Sequence, residues 1–195
     1  MTKSGGNGSG RTSIHMALQG KGGVGKSLIS AILSQYLSSK GQDVCGIDVD
    51  PVNQTFSEYQ GLRVECLNLL REGSIDQREF DLLMERFLRE IGTFVVDTGA
   101  STFIWLNEYF GPVLQDGAAF ADMPICKKHA NKLHGSVAIP RRTADTFGRD
   151  MEEMISRKLT FDEAVKATDF TIMTKQRLLV VQRDLFEQLD RIGLL

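Results

Sequence analysis

At 195 residues, with 42% hydrophobic and 25% charged side chains, the chain has the composition of one globular domain with a single sizeable core. A net charge of −2 and a pI near 5.9 exclude a global attraction for nucleic acid or acidic membranes, leaving only local basic clusters open. Cys45, Cys66 and Cys126 form no C-x-x-C pair, which argues against a disulfide framework or zinc site, and no run approaches the ~18 apolar residues of a membrane span. A reduced, cytoplasmic protein is expected.

Residues 1–12 are Gly, Ser, Thr and Asn with two cations, a flexible tail ahead of a single domain over 13–195. Residues 14–18 read as a strand that runs into Gly20-Lys21-Gly22-Gly23-Val24-Gly25-Lys26-Ser27. A helical pattern leaves that loop at Leu28 and continues to about Ser39, where Gly41 can stop it. Gly20, Gly25, Lys26 and Ser27 satisfy G-x-x-x-x-G-K-[ST], and strand, glycine loop and helix are its required context. Glycines let the backbone N–H groups turn inward, so that loop and helix N-terminus cradle phosphates. Lys26 is placed to reach the β- and γ-phosphates of ATP, and the Ser27 hydroxyl to complete the shell of Mg²⁺. The run from Gly20 to Leu28 is therefore the expected nucleotide-binding segment.

A short apolar strand over residues 43–51 ends in Asp48 and Asp50 before Pro51, at the edge where open α/β sheets bind ligands. Residues 62–70 could form another strand, broken by Gly73-Ser74. An amphipathic helix over 76–89 follows, with Phe80, Leu83, Met84, Phe87 and Leu88 on its apolar face. Residues 94–97 are an apolar strand ending in Asp97, the expected second Mg²⁺-side acid, with Thr98-Gly99-Ala100-Ser101 after it.

Residues 104–107 read as the next strand, yet only residues 98–103 separate it from Asp97. Parallel neighbours need a crossover of about a dozen residues or more. Either this strand is antiparallel, or residues are missing from the chain near 101–105; the omission is favoured. Beyond it lie a helical stretch interrupted by Pro124, a strand at 137–140 stopped by Pro140, and a polar loop with Arg141-Arg142 and Gly148-Arg149-Asp150. Helices are expected over 151–157, 161–167 and 172–192, the last with Leu178, Val181, Leu185, Leu189 and Ile192 on one stripe.

Lys21, directly after the first glycine, gives K-G-G-x-G-K-[ST], which resembles the deviant phosphate loop of the ParA, MinD and arsenite-pump ATPase superfamily. Asp48-Val49-Asp50-Pro51 looks like its D-x-D-P segment, and Asp97-Thr98-Gly99 sits where its switch II aspartate belongs. The resemblance implies a doubly wound, mostly parallel α/β sheet with helices on both faces, of the SIMIBI type of P-loop NTPase. It implies a homodimer on ATP binding, with Lys21 reaching the partner's phosphates, Asp50 orienting the attacking water and Asp48 supporting the metal's water shell. It also places Asn107 and Pro140 against the adenine.

The phrases Ile14-His15-Met16, Ile47 through Phe56, Trp105-Leu106-Asn107, Thr146-Phe147-Gly148-Arg149-Asp150, Leu159-Thr160-Phe161-Asp162 and Ile172-Met173-Thr174 further resemble TraL-type proteins of plasmid conjugation systems. Such relatives carry about two more β/α units after the Asp97 segment, so this chain would lack on the order of fifty residues. The first functional reading is an ATP-hydrolysing dimerisation switch for plasmid transfer, with a conjugation or type IV secretion protein as partner. The alternative is a partition or positioning scaffold whose ATP state binds DNA or membrane, for which Lys127-Lys128, Lys132 and Arg141-Arg142 are the candidate cations. A small-molecule kinase is a third reading, for which no acceptor site is visible.

Overall fold

The computed structural model describes residues 12–17, 23, 25–71, 74–99 and 146–194. In chain order the elements are β1 (Ser13–Ala17), α1 (Lys26–Ser39), β2 (Val44–Asp48), β3 (Val64–Cys66), β4 (Leu70–Arg71), β5 (Ser74–Ile75), α2 (Gln77–Arg89), β6 (Thr93–Asp97), α3 (Thr146–Ser156), α4 (Phe161–Lys166) and α5 (Ile172–Arg191).

Four strands pair in the order β1-β6-β2-β3, all parallel. Every residue of β2 and β6 is buried, because both faces of these strands are covered and both sequences are near-continuous apolar runs. Alternation along β6 divides the core. Val95 faces Ala31, Tyr36 and Leu37 of α1 together with Leu178 and Leu185 of α5. Phe94 and Val96 face Phe80, Leu83 and Phe87 of α2. Helices therefore stand on both faces of a parallel sheet, the doubly wound α/β fold that the sequence implies.

Helix boundaries follow local chemistry. The Asp76 carboxylate accepts the Arg78 N–H at 3.0 Å and caps α2. Thr160 and Glu163 form a reciprocal capping box on α4, and Thr171 caps α5. Helix α1 ends at Lys40, with Gly41 beyond it at φ 80° as expected.

Four expectations are corrected. The strand expected over 62–70 is only Val64–Cys66. Leu67 N–H still donates to the Asp48 carbonyl, but β2 ends there, so the chain leaves the sheet, and β4 pairs with β5 in a small antiparallel ribbon. Gly148-Arg149-Asp150 is not loop but part of α3, which begins before the expected Met151. Asp150 is buried against Arg177 and Thr174 of α5, a partnership that holds this turn in the helix. Leu88 is 82% exposed, lying at the margin of the α2 stripe rather than in it. Thr12, expected in the tail, donates its hydroxyl to the Glu90 carbonyl at 2.7 Å. Residues 101–105 lie outside the described residues.

Candidate functional site

Three strands end side by side. Ala17, Asp97 and Asp48 occupy one register row across β1, β6 and β2, which brings both acids to the same edge of the sheet. The edge is bolted together: Thr98 Oγ1 donates to the Ala17 carbonyl at 2.6 Å, and Val49 N–H donates to the Asp97 carbonyl at 2.9 Å.

Helix α1 starts at this edge. Its N-cap, Gly25, has φ 89° and ψ 23°, and Gly23 has φ 70°, left-handed values that favour glycine. A Cβ at either would meet nothing within 4 Å, so glycine is required here by backbone conformation rather than by space. No side chain caps this end and the first turn carries no acid, so the positive end of the helix dipole is left for an anion from outside the helix.

Ser30, one turn beyond Ser27 on α1, donates its hydroxyl to the Asp97 carboxylate at 3.2 Å, and the nearby Ser27 hydroxyl also favours the charged form of Asp97. Asp97 is 1% exposed, and burial pushes its carboxyl up to about 6; the Asp48 charge adds to the rise, while the two hydroxyls and Lys26 oppose it. Asp48 is wholly buried and is also raised by burial, against hydrogen bonds from the loop that follows β2. Its Oδ1 accepts Asp50 N–H at 3.1 Å and its Oδ2 accepts Ser57 N–H at 3.0 Å. Asp50, in turn, accepts the N–H groups of Val52 and Asn53 on Oδ1 at 2.9 and 3.1 Å.

Gly23, Gly25, Lys26, Ser27, Leu28, Asp48, Asp50 and Asp97 thus converge on one edge. Gly20, Lys21, Gly22, Val24, Asn107 and Pro140 lie outside the described residues, as do Lys127, Lys128, Lys132, Arg141 and Arg142. Sequence reasoning missed Ser30 and Thr98. The three-residue spacing from Ser27 could have found Ser30; Thr98 carried no local signal. Among the described residues no group of three or more His, Cys, Asp or Glu side chains could hold a metal. The buried Asp97 carboxylate and Ser27 hydroxyl are hard oxygen donors, and such a pair fits Mg²⁺, which draws its other ligands from phosphates and water.

A family model described as the CobQ/CobB/MinD/ParA nucleotide binding domain matches residues 15–192. The chain belongs to this family. The glycine loop, Asp48 and Asp97 all fall inside the matched span. The chain is also similar to two Escherichia coli proteins, each named Protein TraL, at 35% and 33% identity over 238 positions, covering 93% of this chain and 99% of each relative. That alignment is longer than the 195-residue chain, so each relative has residues with no counterpart here. Membership of the family makes the chain a ParA/MinD-type nucleotide-binding protein close to TraL. Among the described residues no helix is long and apolar enough to cross a membrane.

Proposed function

We propose that the chain is a Mg²⁺-dependent, cytoplasmic ATPase that dimerises on ATP and serves conjugative plasmid transfer through a partner protein of the secretion apparatus. The observation that carries this reading is the buried Asp97 carboxylate, bonded to Ser30 at the foot of an α1 whose N-cap is a left-handed glycine. Similarity to the TraL proteins supports the conjugative setting.

Bound ATP supplies the phosphoryl group and Mg²⁺ neutralises its charge. Residues 20–28 bind the phosphates, and Lys26 holds the β- and γ-oxygens. Ser27, through its hydroxyl, and Asp97, as the carboxylate, would hold Mg²⁺ directly or through its water. Asp48 stands behind as the second acid and fixes the loop that carries Asp50. Asp50 orients the attacking water, Lys21 extends to the partner protomer's phosphates, and Asn107 and Pro140 flank the base. The residues that the TraL proteins have in excess fall, in this reading, near 101–105, where a parallel crossover needs about a dozen residues and six are present.

The test pairs solution mass with ATPase rate, with and without ATP, for wild type, Lys21→Ala, Lys26→Ala and Asp50→Ala. Lys26→Ala is expected to lose nucleotide. Lys21→Ala should bind it without dimerising or hydrolysing, and Asp50→Ala should persist as the ATP dimer. Wild-type behaviour of Lys21→Ala in both assays would refute the role in trans.

A further inference from the structure

Asp50 is held from three sides, and the third is a residue with no side chain. Its backbone N–H is anchored on Asp48, and its Oδ1 is anchored on the Val52 and Asn53 amides. Gly99 supplies the remaining wall. A Cβ placed there would stand 2.7 Å from Asp50 Oδ1, 2.8 Å from its Cγ and 3.1 Å from its Oδ2, so the carboxylate lies against the Gly99 backbone.

Gly99 has no left-handed φ, so its backbone conformation is open to other residues. The requirement for glycine is spatial. The turn that bears it cannot recede easily, because Thr98 is tied to Ala17 and the Asp97 carbonyl to Val49. The carboxylate cannot swing away without giving up its bonds to Val52 and Asn53.

We propose that Gly99 is a positioning residue for Asp50: the bare backbone after β6 seats the carboxylate and fixes its distance from a phosphate bound at α1. The inference rests on the reading of Asp50 as the group that orients water. An alanine at 99 needs at least ordinary contact distance, about 3.4 Å, which displaces the carboxylate by some tenths of an ångström or rotates it off the loop amides. A misplacement approaching 1 Å costs about 100-fold in rate.

The experiment uses the full chain and the variants Gly99→Ala, Asp50→Ala and their combination. Without nucleotide, the Val52 and Asn53 amide resonances are expected to shift and lose exchange protection in Gly99→Ala, as they do in Asp50→Ala. With Mg²⁺ and ATP, Gly99→Ala should lower kcat about 10- to 100-fold at unchanged KM, and the double variant should be no slower than Asp50→Ala alone. If Gly99→Ala fails to fold, the double variant, with the carboxylate removed, should recover; continued failure would overturn the proposal. Unmoved amides, or a wild-type kcat in Gly99→Ala while Asp50→Ala is impaired, would overturn the positioning role and leave Asp50 standing. Wild-type turnover by Asp50→Ala would remove the reading of Asp50 and this inference with it.

Discussion

Asp97 carries a conflict that its neighbours only partly resolve: a carboxyl group removed from water, beside the equally buried Asp48, with two hydroxyls and Lys26 as its compensation. Its carboxyl rises from 3.8 to about 6 on folding, so the native state holds the proton more tightly than the unfolded chain does. The resulting stabilisation is complete below about pH 4 and is lost as pH rises through about 6. Asp48, shifted in the same direction, adds to that trend. Replacing Asp97 with Asn removes the charge and keeps the shape, so the melting temperature at pH 8 is expected to rise by about 2–8 °C, with little change at pH 4. Calorimetry at both pH values checks the sign; a fall at pH 8 would mean that the ionised carboxylate is well compensated in the empty site.

At this scale the sequence was informative where chemistry is local. The placement of Gly25, Lys26, Ser27, Asp48, Asp50 and Asp97 at one sheet edge was legible, because motif spacing and strand ends are local properties. Ser30, Thr98 and the Gly99 seat were not read. The contacts of Thr98 with Ala17 and Gly99 with Asp50 span 81 and 49 positions, respectively, and follow only from the strand order.

Among the elements, α5 shows how an apolar stripe becomes stability. Leu178, Leu185 and Leu189 lie in the core that α1 and β6 also line, and the far end is tied to α1 where Asp190 accepts from Tyr36 at 2.8 Å and pairs with Lys40 at 2.7 Å. Leu178 has no exposed surface, so Leu178→Ala should cost about 3 kcal/mol and lower the melting temperature by about 6–12 °C. Ile172→Ala, at a site 78% exposed on the same helix, should change stability by less than about 0.5 kcal/mol. Equal losses in chemical denaturation would contradict this packing.

The stripe was legible because its period is helical. The start of α3 was not, since Gly148 and the adjacent charges read as loop until Arg177, 27 positions later, engages Asp150. Leu88 misled for a geometric reason: one residue beyond Phe87 turns it about 100° around the helix, out of the contact that Phe87 makes with Phe94.

For the whole molecule, the parallel sheet accounts for the site's location, because each strand delivers its C-terminal residue to the same edge and α1 begins there. This part of the fold follows from alternating apolar strands and helices. The stretch between Asp97 and the strand expected at 104–107 resisted sequence reading for a topological reason: six residues cannot carry a parallel crossover, and the TraL proteins contain residues that this chain lacks. A nucleotide seat at the foot of α1 underlies every functional step proposed, including dimerisation. Calorimetric titration of wild type and Lys26→Ala with a non-hydrolysable ATP analogue, with and without Mg²⁺, tests it most directly. Wild type should bind more tightly with the metal, and Lys26→Ala should lose about 100-fold or more, the loss of a charge-assisted contact worth about 3 kcal/mol. Equal affinity in the two proteins, or binding indifferent to Mg²⁺, would contradict a phosphate seat formed by Lys26, Ser27 and Asp97.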